Sequence, residues 1–342
     1  MNGSDLEDRV RGALAGLAQV HGRVDDALRW ATDAGRWAPA PGIGRTPELW
    51  DFFVEAAALD VAAARVLEPH LDALAILGQA PEPVDLGSID ADATSTWGVF
   101  AAEGGGLTLT AREEGDRWRL EGGKPWCSLA RVLSHALVTA TVAGGARRLF
   151  AVSLRAPGVT ADEGPWAARG LTQVVSAPVH FDRVEAVPVG GPGWYLERPG
   201  FFWGGIGVSA CWLGGAVGVA RALLSAAQRR EPDQVALTHL GAVDALLNTA
   251  RTALGAAARA VDGPVAGVDW PVLMLRTRNA VADAAERVVT HLGHALGPAP
   301  LALDAEHAAR VADLQLYLRQ HHAERDEAAL GRAILESERR PW

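Results

Sequence analysis

The sequence predicts an α+β protein with an N-terminal α-helical domain, a small antiparallel β-domain and a C-terminal four-helix bundle. Three observations carry this reading. Apolar residues recur at helical spacing toward both ends of the chain. Between Trp97 and Pro188 that period gives way to short alternating or β-branched runs cut by glycine-rich turns. From Trp203 onward four helical blocks are separated by Pro232, Pro264 and Gly297-Pro298. The expected domains are residues 1–96, 97–190 and 191–342.

In order, Leu6, Val10, Leu14, Leu17, Val24 and Leu28 mark one amphipathic helix or two, with Asp5 and Asp8 suiting a helix N-terminus. Pro39 to Pro47 reads as a loop, and Leu49 to Leu77 returns to a helical pattern with alanine-rich faces. Pro81 to Thr96 is a linker. Strands are expected at Leu107 to Arg112, Arg117 to Glu121, Leu133 to Val142 and Leu149 to Leu154, between turns at Glu114-Gly115-Asp116, Glu121-Gly122-Gly123 and Gly144-Gly145. The bundle blocks fall near 203–230, 234–262, 268–296 and 304–336.

Composition narrows the function classes. The formal charge is -9 and Lys124 is the sole lysine, so a nucleic-acid surface of clustered basic residues is not expected. Cys127 and Cys211 are too few for a disulfide framework or a cysteine zinc site, which points to a reducing, cytoplasmic setting. Met1 to Arg11 shows no secretory pattern. The uncharged stretch Phe201 to Ala220, with Gly214 and Gly218 at GxxxG spacing, is long enough to span a bilayer. It is read instead as a helix buried inside a bundle, and no membrane span is expected.

Several short phrases, in order, carry a family resemblance. Leu120-Glu121-Gly122-Gly123-Lys124-Pro125-Trp126-Cys127-Ser128 is followed by Gly158-Val159, Arg169-Gly170 and Val179-His180-Phe181-Asp182-Arg183-Val184, ending at Pro188. Together they resemble the acyl-CoA dehydrogenase family from about Leu49 to Gly331. The resemblance implies FAD as cofactor, with Trp126 on the flavin ring, Cys127 and Ser128 beside it, and Arg229 gripping the dinucleotide pyrophosphate of a neighbouring subunit. It also implies an acyl thioester substrate (acyl-CoA or carrier-bound), an electron-transfer partner, and a homodimer or homotetramer. An aromatic face and a small hydroxyl are chemically suited to a flavin edge; as ordinary residues, Trp126 would fill a core and Ser128 cap a strand.

The chain departs from the family pattern at several points. The phrase opening the β-domain is reduced to Ala102-Glu103 before Gly104-Gly105-Gly106. Arg229 lacks the Phe and Gly that follow it in the family. Leu292-Gly293-His294-Ala295-Leu296-Gly297 keeps only part of a glycine turn. The family's glutamate base has no match. Counting from Asp313, which resembles the acid of an Arg-Asp-Ala phrase, its place falls near Gln320 or His321, with Glu324 one helical turn beyond on about the same face. His321 and Glu324 are therefore the candidate catalytic residues.

Competing motifs are weaker. Gly205-x-Gly207-x-x-Ala210 fits a dinucleotide fingerprint but lies in helical surroundings. His291 with His294, or His321, His322 and Glu324, could share a helix face for metal, yet helix-surface histidines explain them, and no metal is expected. The expected function is an acyl-CoA dehydrogenase-like oxidation at the α,β-carbons, by proton abstraction and hydride transfer to FAD. A flavin-dependent monooxygenase on the same fold, or a non-catalytic scaffold that lost the cofactor, are the alternatives.

Overall fold

The computed structural model describes residues 3–20, 22–229 and 231–337. Helices α1 (Gly3–Leu17), α2 (Val24–Gly35), α3 (Thr46–Leu59) and α4 (Val61–Gly78) come first. The run Leu49 to Leu77 is therefore two helices. Asp60 leaves helical geometry between them, and its carboxylate accepts the Ala63 N–H at 2.9 Å to cap α4.

Seven strands follow: β1 (Trp97–Phe100), β2 (Leu109–Glu114), β3 (Arg117–Ser128), β4 (His135–Thr141), β5 (Arg147–Ser153), β6 (Val159–Ala161) and β7 (Ser176–Val189). Strands β4, β2, β3, β7 and β5 close into a ring, because β5 returns to pair with β4. The sheet is mixed and not purely antiparallel as expected. β1 runs parallel to β4 (Trp97 opposite His135), and β2 meets β4 in parallel at Thr110 and Thr141. Parallel neighbours require a crossover connection, and the long excursion from β2 through β3 supplies one. Strands β4 and β5 are buried on both faces. Val138 and Phe150 join the main core with Leu120 and Phe181, while Leu137, Leu149 and Ala151 pack with Ala73 and Ile76 of α4. This two-sided burial explains why these strands read as continuous apolar runs.

The C-terminal part comprises α5 (Trp194–Glu197), α6 (Pro199–Arg229), α7 (Gln234–Val261), α8 (Trp270–Leu296), α9 (Ala299–Leu303), α10 (Ala305–Tyr317) and α11 (Glu324–Glu336). Aspartates 233, 269 and 304 cap α7, α8 and α10 by accepting backbone N–H groups. The fourth expected bundle helix is broken. A 3-10 turn spans Leu318–Gln320, His321 is extended, and α11 starts afresh.

Helix α6 is the one helix among the described residues long and apolar enough to cross a membrane, and 72% of that apolar window is buried within the fold. Its glycines let α3 approach: a Cβ on Gly214 would lie 2.2 Å from the Val54 carbonyl oxygen, and one on Gly218 2.6 Å from that of Ala58. The Gly205-x-Gly207-x-x-Ala210 match lies inside α6, with no strand leading into it, so it is not a phosphate-binding turn.

Candidate functional site

The phrase Leu120 to Ser128 forms the second half of β3. Its pairing with β7 shifts register between Leu120 and Gly122 and again between Lys124 and Cys127. Such bulges re-aim side chains. At the first, Gly122 has φ 114 and a Cβ would sit 2.2 Å from the Thr108 carbonyl oxygen, so only glycine fits. At the second, Trp126 is thrown out of the ladder with φ 58 and is 66% exposed. A bulky residue in this region costs about 1–3 kcal/mol and persists where surrounding structure imposes it, commonly at ligand clamps.

Its neighbours turn inward. Lys124 is 2% exposed and its ammonium donates to Glu103 Oε1 at 2.7 Å and Thr139 Oγ1 at 2.8 Å. Burial holds its pKa below the usual lysine value against the opposing pull of Glu103. The Ala102-Glu103 remnant and Lys124 are thus one pairing, buried at its lysine end and exposed at Glu103, that ties the glycine loop to the barrel. Cys127 is fully buried, its thiol donates to the Lys124 carbonyl at 3.3 Å, and burial pushes its pKa up to about 12. That side chain is a core group with no thiolate character.

Ser128 lies at the end of β3. Its hydroxyl is 2.7 Å from the Ser176 hydroxyl and accepts from Arg65 Nη2 at 3.1 Å. Arg65 comes from α4, and with Val66 and Pro69 it faces Gly98, Val99 and Phe100 of β1 and Ser128, Leu129 and Leu133 across a narrow cleft. Its guanidinium also stands over the Tyr317 ring, 5.5 Å from the centroid. This contact joins the β3 end to the helical core.

Behind Arg65 lies a cluster the sequence reading did not single out. The Tyr317 hydroxyl donates to Glu68 Oε2 at 3.4 Å, and both groups are buried. Burial raises the Glu68 pKa to about 7, against the lowering effect of Arg65. Arg278 donates to the carbonyls of Gly205 (2.7 Å) and Gln320 (2.9 Å), and its guanidinium lies 4.6 Å from the Trp212 ring centroid. Trp212 meets Tyr317 and His321 edge to face. A signal existed in the sequence: Arg65, Glu68, His70 and Asp72 interrupt a helix whose other residues are almost all Ala, Leu, Val and Ile.

His321 occupies the break between α10 and α11. Its Nε2 is 2.9 Å from Asn279 Oδ1 and 3.7 Å from Asp326 Oδ2, and burial lowers its pKa against the opposing effect of Asp326. Glu324 is the exposed first residue of α11. The expectation that the two share one helical face is corrected: no helix connects them, and Ala323 between them has φ 49. Arg229 is exposed at the last position of α6, and Arg230 lies outside the described residues. Asp313 accepts the Leu171 N–H at 2.5 Å, and a Cβ on Gly170 would lie 2.1 Å from the Ala312 carbonyl oxygen. Two pieces of the resemblance, far apart in sequence, therefore dock on each other. His291 and His239 meet across α7 and α8 with Nδ1 atoms 3.0 Å apart, and His294 stands beside them. Among the described residues no three His, Cys, Asp or Glu side chains converge as metal ligands.

No family model matches the chain, and no curated protein matches it. Solved structures do. KijD3 in complex with dTDP superposes with a TM-score of 0.81 at 21% identity, over 96% of this chain and 95% of that one. KijD3 is also known in complex with FMN and dTDP-3-amino-2,3,6-trideoxy-4-keto-3-methyl-D-glucose. The nitrososynthase from Micromonospora carbonacea var. africana gives 0.79 at 17% identity over 98% of both chains. A glutaryl-CoA dehydrogenase from Mycobacterium smegmatis in complex with FADH2 gives 0.77 at 16% identity, over 99% of this chain and 97% of that one. The chain has the fold of acyl-CoA dehydrogenase-like flavoproteins, as the resemblance implied. Within that fold its neighbours include both thioester dehydrogenases and enzymes of other chemistry.

Proposed function

We propose that this protein is a flavin-dependent oxidoreductase working in the monooxygenase manner, with the flavin beside Trp126, Ser128 and Arg65. The residues present fit a flavin. An exposed indole is held in a strained backbone conformation next to a pair of hydroxyls and a guanidinium, groups suited to an aromatic ring with a polar edge. When bound, reduced flavin supplies the electrons that activate oxygen. The chain's own residues hold the ring, through Trp126 and the Ser128 end of β3, and limit water by packing α4 against β1.

One observation favours this over thioester dehydrogenation. The segment where the resemblance puts a carboxylate base, 318–323, presents His321, shielded by Trp212, Asn279 and Asp326, while Glu324 is exposed on a separate helix. Removal of a weakly acidic α-proton needs a placed base; oxygen activation at reduced flavin does not. FMN suits the site better than the FAD first expected, since Arg229 stands exposed without the Phe and Gly that accompany it in the family, and KijD3 is seen with FMN. The amino sugar nucleotide held by KijD3 supports an amine-bearing small molecule as the substrate class over an acyl thioester. The reading keeps a homodimer or homotetramer, Arg229 facing a neighbouring copy, domain bounds near 96 and 190, and a cytoplasmic setting.

The purified protein is titrated with FMN and FAD by visible absorption. The reduced complex is then mixed with oxygen, with and without candidate amines, and separately the oxidised complex is mixed anaerobically with acyl-CoAs. Substrate-dependent oxygen consumption with an oxygenated product supports the reading. Anaerobic bleaching by a thioester would return the site to the dehydrogenase class, and absence of flavin binding would leave the scaffold role.

A further inference from the structure

Arg65 reaches out of α4 to the same cleft that holds Ser128, and three features fix it there. Its Nη2 donates to Ser128 Oγ at 3.1 Å, its guanidinium lies over the Tyr317 ring, and Tyr317 is in turn held by its hydroxyl on Glu68. A guanidinium carries five N–H donors. Only the Ser128 bond engages them among the described residues. The geometry points to Arg65 as the group that receives negative charge in this site: its unused donors meet the electron-rich edge of the flavin ring once the ring is reduced.

The physical case is one of cost and placement. A partly buried cation with unspent donors is expensive to keep next to Leu129, Leu133 and Phe100 unless a ligand completes it. Reduced flavin near neutral pH is an anion delocalised over its pyrimidine edge, whereas the oxidised ring is neutral, so a fixed guanidinium discriminates between the two. The stack on Tyr317 costs the side chain its freedom before the ligand arrives, which lowers the entropy lost on binding. Glu68 does not cancel the charge by a direct ion pair, since its bonded partner is Tyr317. The Arg65, Tyr317, Glu68 series is thus a bracket, with Arg65 the ligand-holding residue and the other two positioning residues.

This inference rests on the flavin reading, and the experiment separates the two. Affinities for oxidised FMN and for dithionite-reduced FMN are measured anaerobically in the wild type, Arg65→Met and Arg65→Lys, with thermal melts to confirm folding. For Arg65→Met, affinity for reduced FMN is expected to fall about tenfold or more, as for loss of one charge-assisted hydrogen bond, with less than about threefold change for oxidised FMN. Arg65→Lys restores part of the loss because it keeps the charge without the fork. Tyr317→Phe, which keeps the stack but frees Glu68, gives a smaller loss in the same direction. Equal losses for both redox forms, or none for either, overturn the inference while leaving the flavin reading intact. A wild type that binds neither form overturns the flavin reading itself.

Discussion

Trp126 and Trp212 separate two jobs a tryptophan can do. Trp212 is fully buried between Tyr317, His321 and Arg278, whereas Trp126 is 66% exposed. Trp212→Ala should destabilise the fold by about 3–5 kcal/mol. Trp126→Ala should move stability by no more than about 0.5 kcal/mol and yet weaken flavin binding; denaturant melts and flavin titration on both variants check this, and equal flavin loss at matched stability would leave Trp126 with no site role. Glu68 gives a second test. Its folded pKa is about 7 against the ordinary 4.5, so the folded state holds an extra proton between those values. Its contribution is fully present below 4.5 and is lost as pH rises through 7. Arg65, Tyr317 and Arg278 oppose the rise, and Asp72, itself raised to about 6 by burial, adds to it. Glu68→Gln should therefore reduce the stability difference between pH 5 and pH 8 by about 2 kcal/mol in urea titrations at both pH values; an unchanged difference would mean Glu68 titrates normally. Trp126 was legible in the sequence because its flanking phrase has a recognisable form. Arg65 and Glu68 stood out only as charges in a largely apolar helix; their partners were not legible, because those arise from tertiary proximity to Ser128 and Tyr317, and no spacing rule brings residue 68 to residue 317.

At the scale of elements, periodicity found the helices and missed their junctions. The run 49–77 looks continuous because Asp60 is the one polar residue between Ala56 and Ala64, and only its capping bond to Ala63 shows the turn. The final helix looks continuous for a similar reason: residues 318–323 contain no Gly or Pro, and the break is imposed by tertiary bonds, with Arg278 taking the Gln320 carbonyl and Asn279 meeting His321. The parallel β1–β4 pairing was equally hidden, since strand composition does not encode partner direction. The break carries strain at Ala323, with φ 49 and ψ -120. Ala323→Gly should thus raise stability by about 1 kcal/mol, and a loss would show that φ is not left-handed there in solution. The α3–α6 contact responds oppositely. Gly218→Ala places a methyl 2.6 Å from the rigid Ala58 carbonyl, and the overpacking should cost about 1–3 kcal/mol in the same melts. A neutral result would mean the helices are further apart than described.

Across the whole molecule, one hydrophobic cluster runs from Leu17 through the strands to Leu318, so the expected three-part layout is joined by a shared core. Composition made the α, β, α order legible, but the sharing could not be read from windows of sequence. It comes from contacts such as Arg310 on the Leu59 carbonyl, Tyr317 on Glu68, and Asp313 on Leu171. These contacts have a consequence for synthesis on the ribosome. Helices α3 and α4 pack on each other and α4 also on α2 and β1, but the rest of their apolar surface is covered by α6 and, for α4, by α10, so that part stays exposed until those later helices have left the exit tunnel. A nascent chain ending at residue 300 lacks α10 altogether. It should bind a holdase chaperone and be cleaved readily by protease, while one extended past residue 336 should be released and resistant; early protease resistance of the shorter chain would show that the first helices settle alone. For such a protein the vulnerable interval is set by translation speed through codons 300 to 336, and a pause there prolongs the exposure of surface made much earlier.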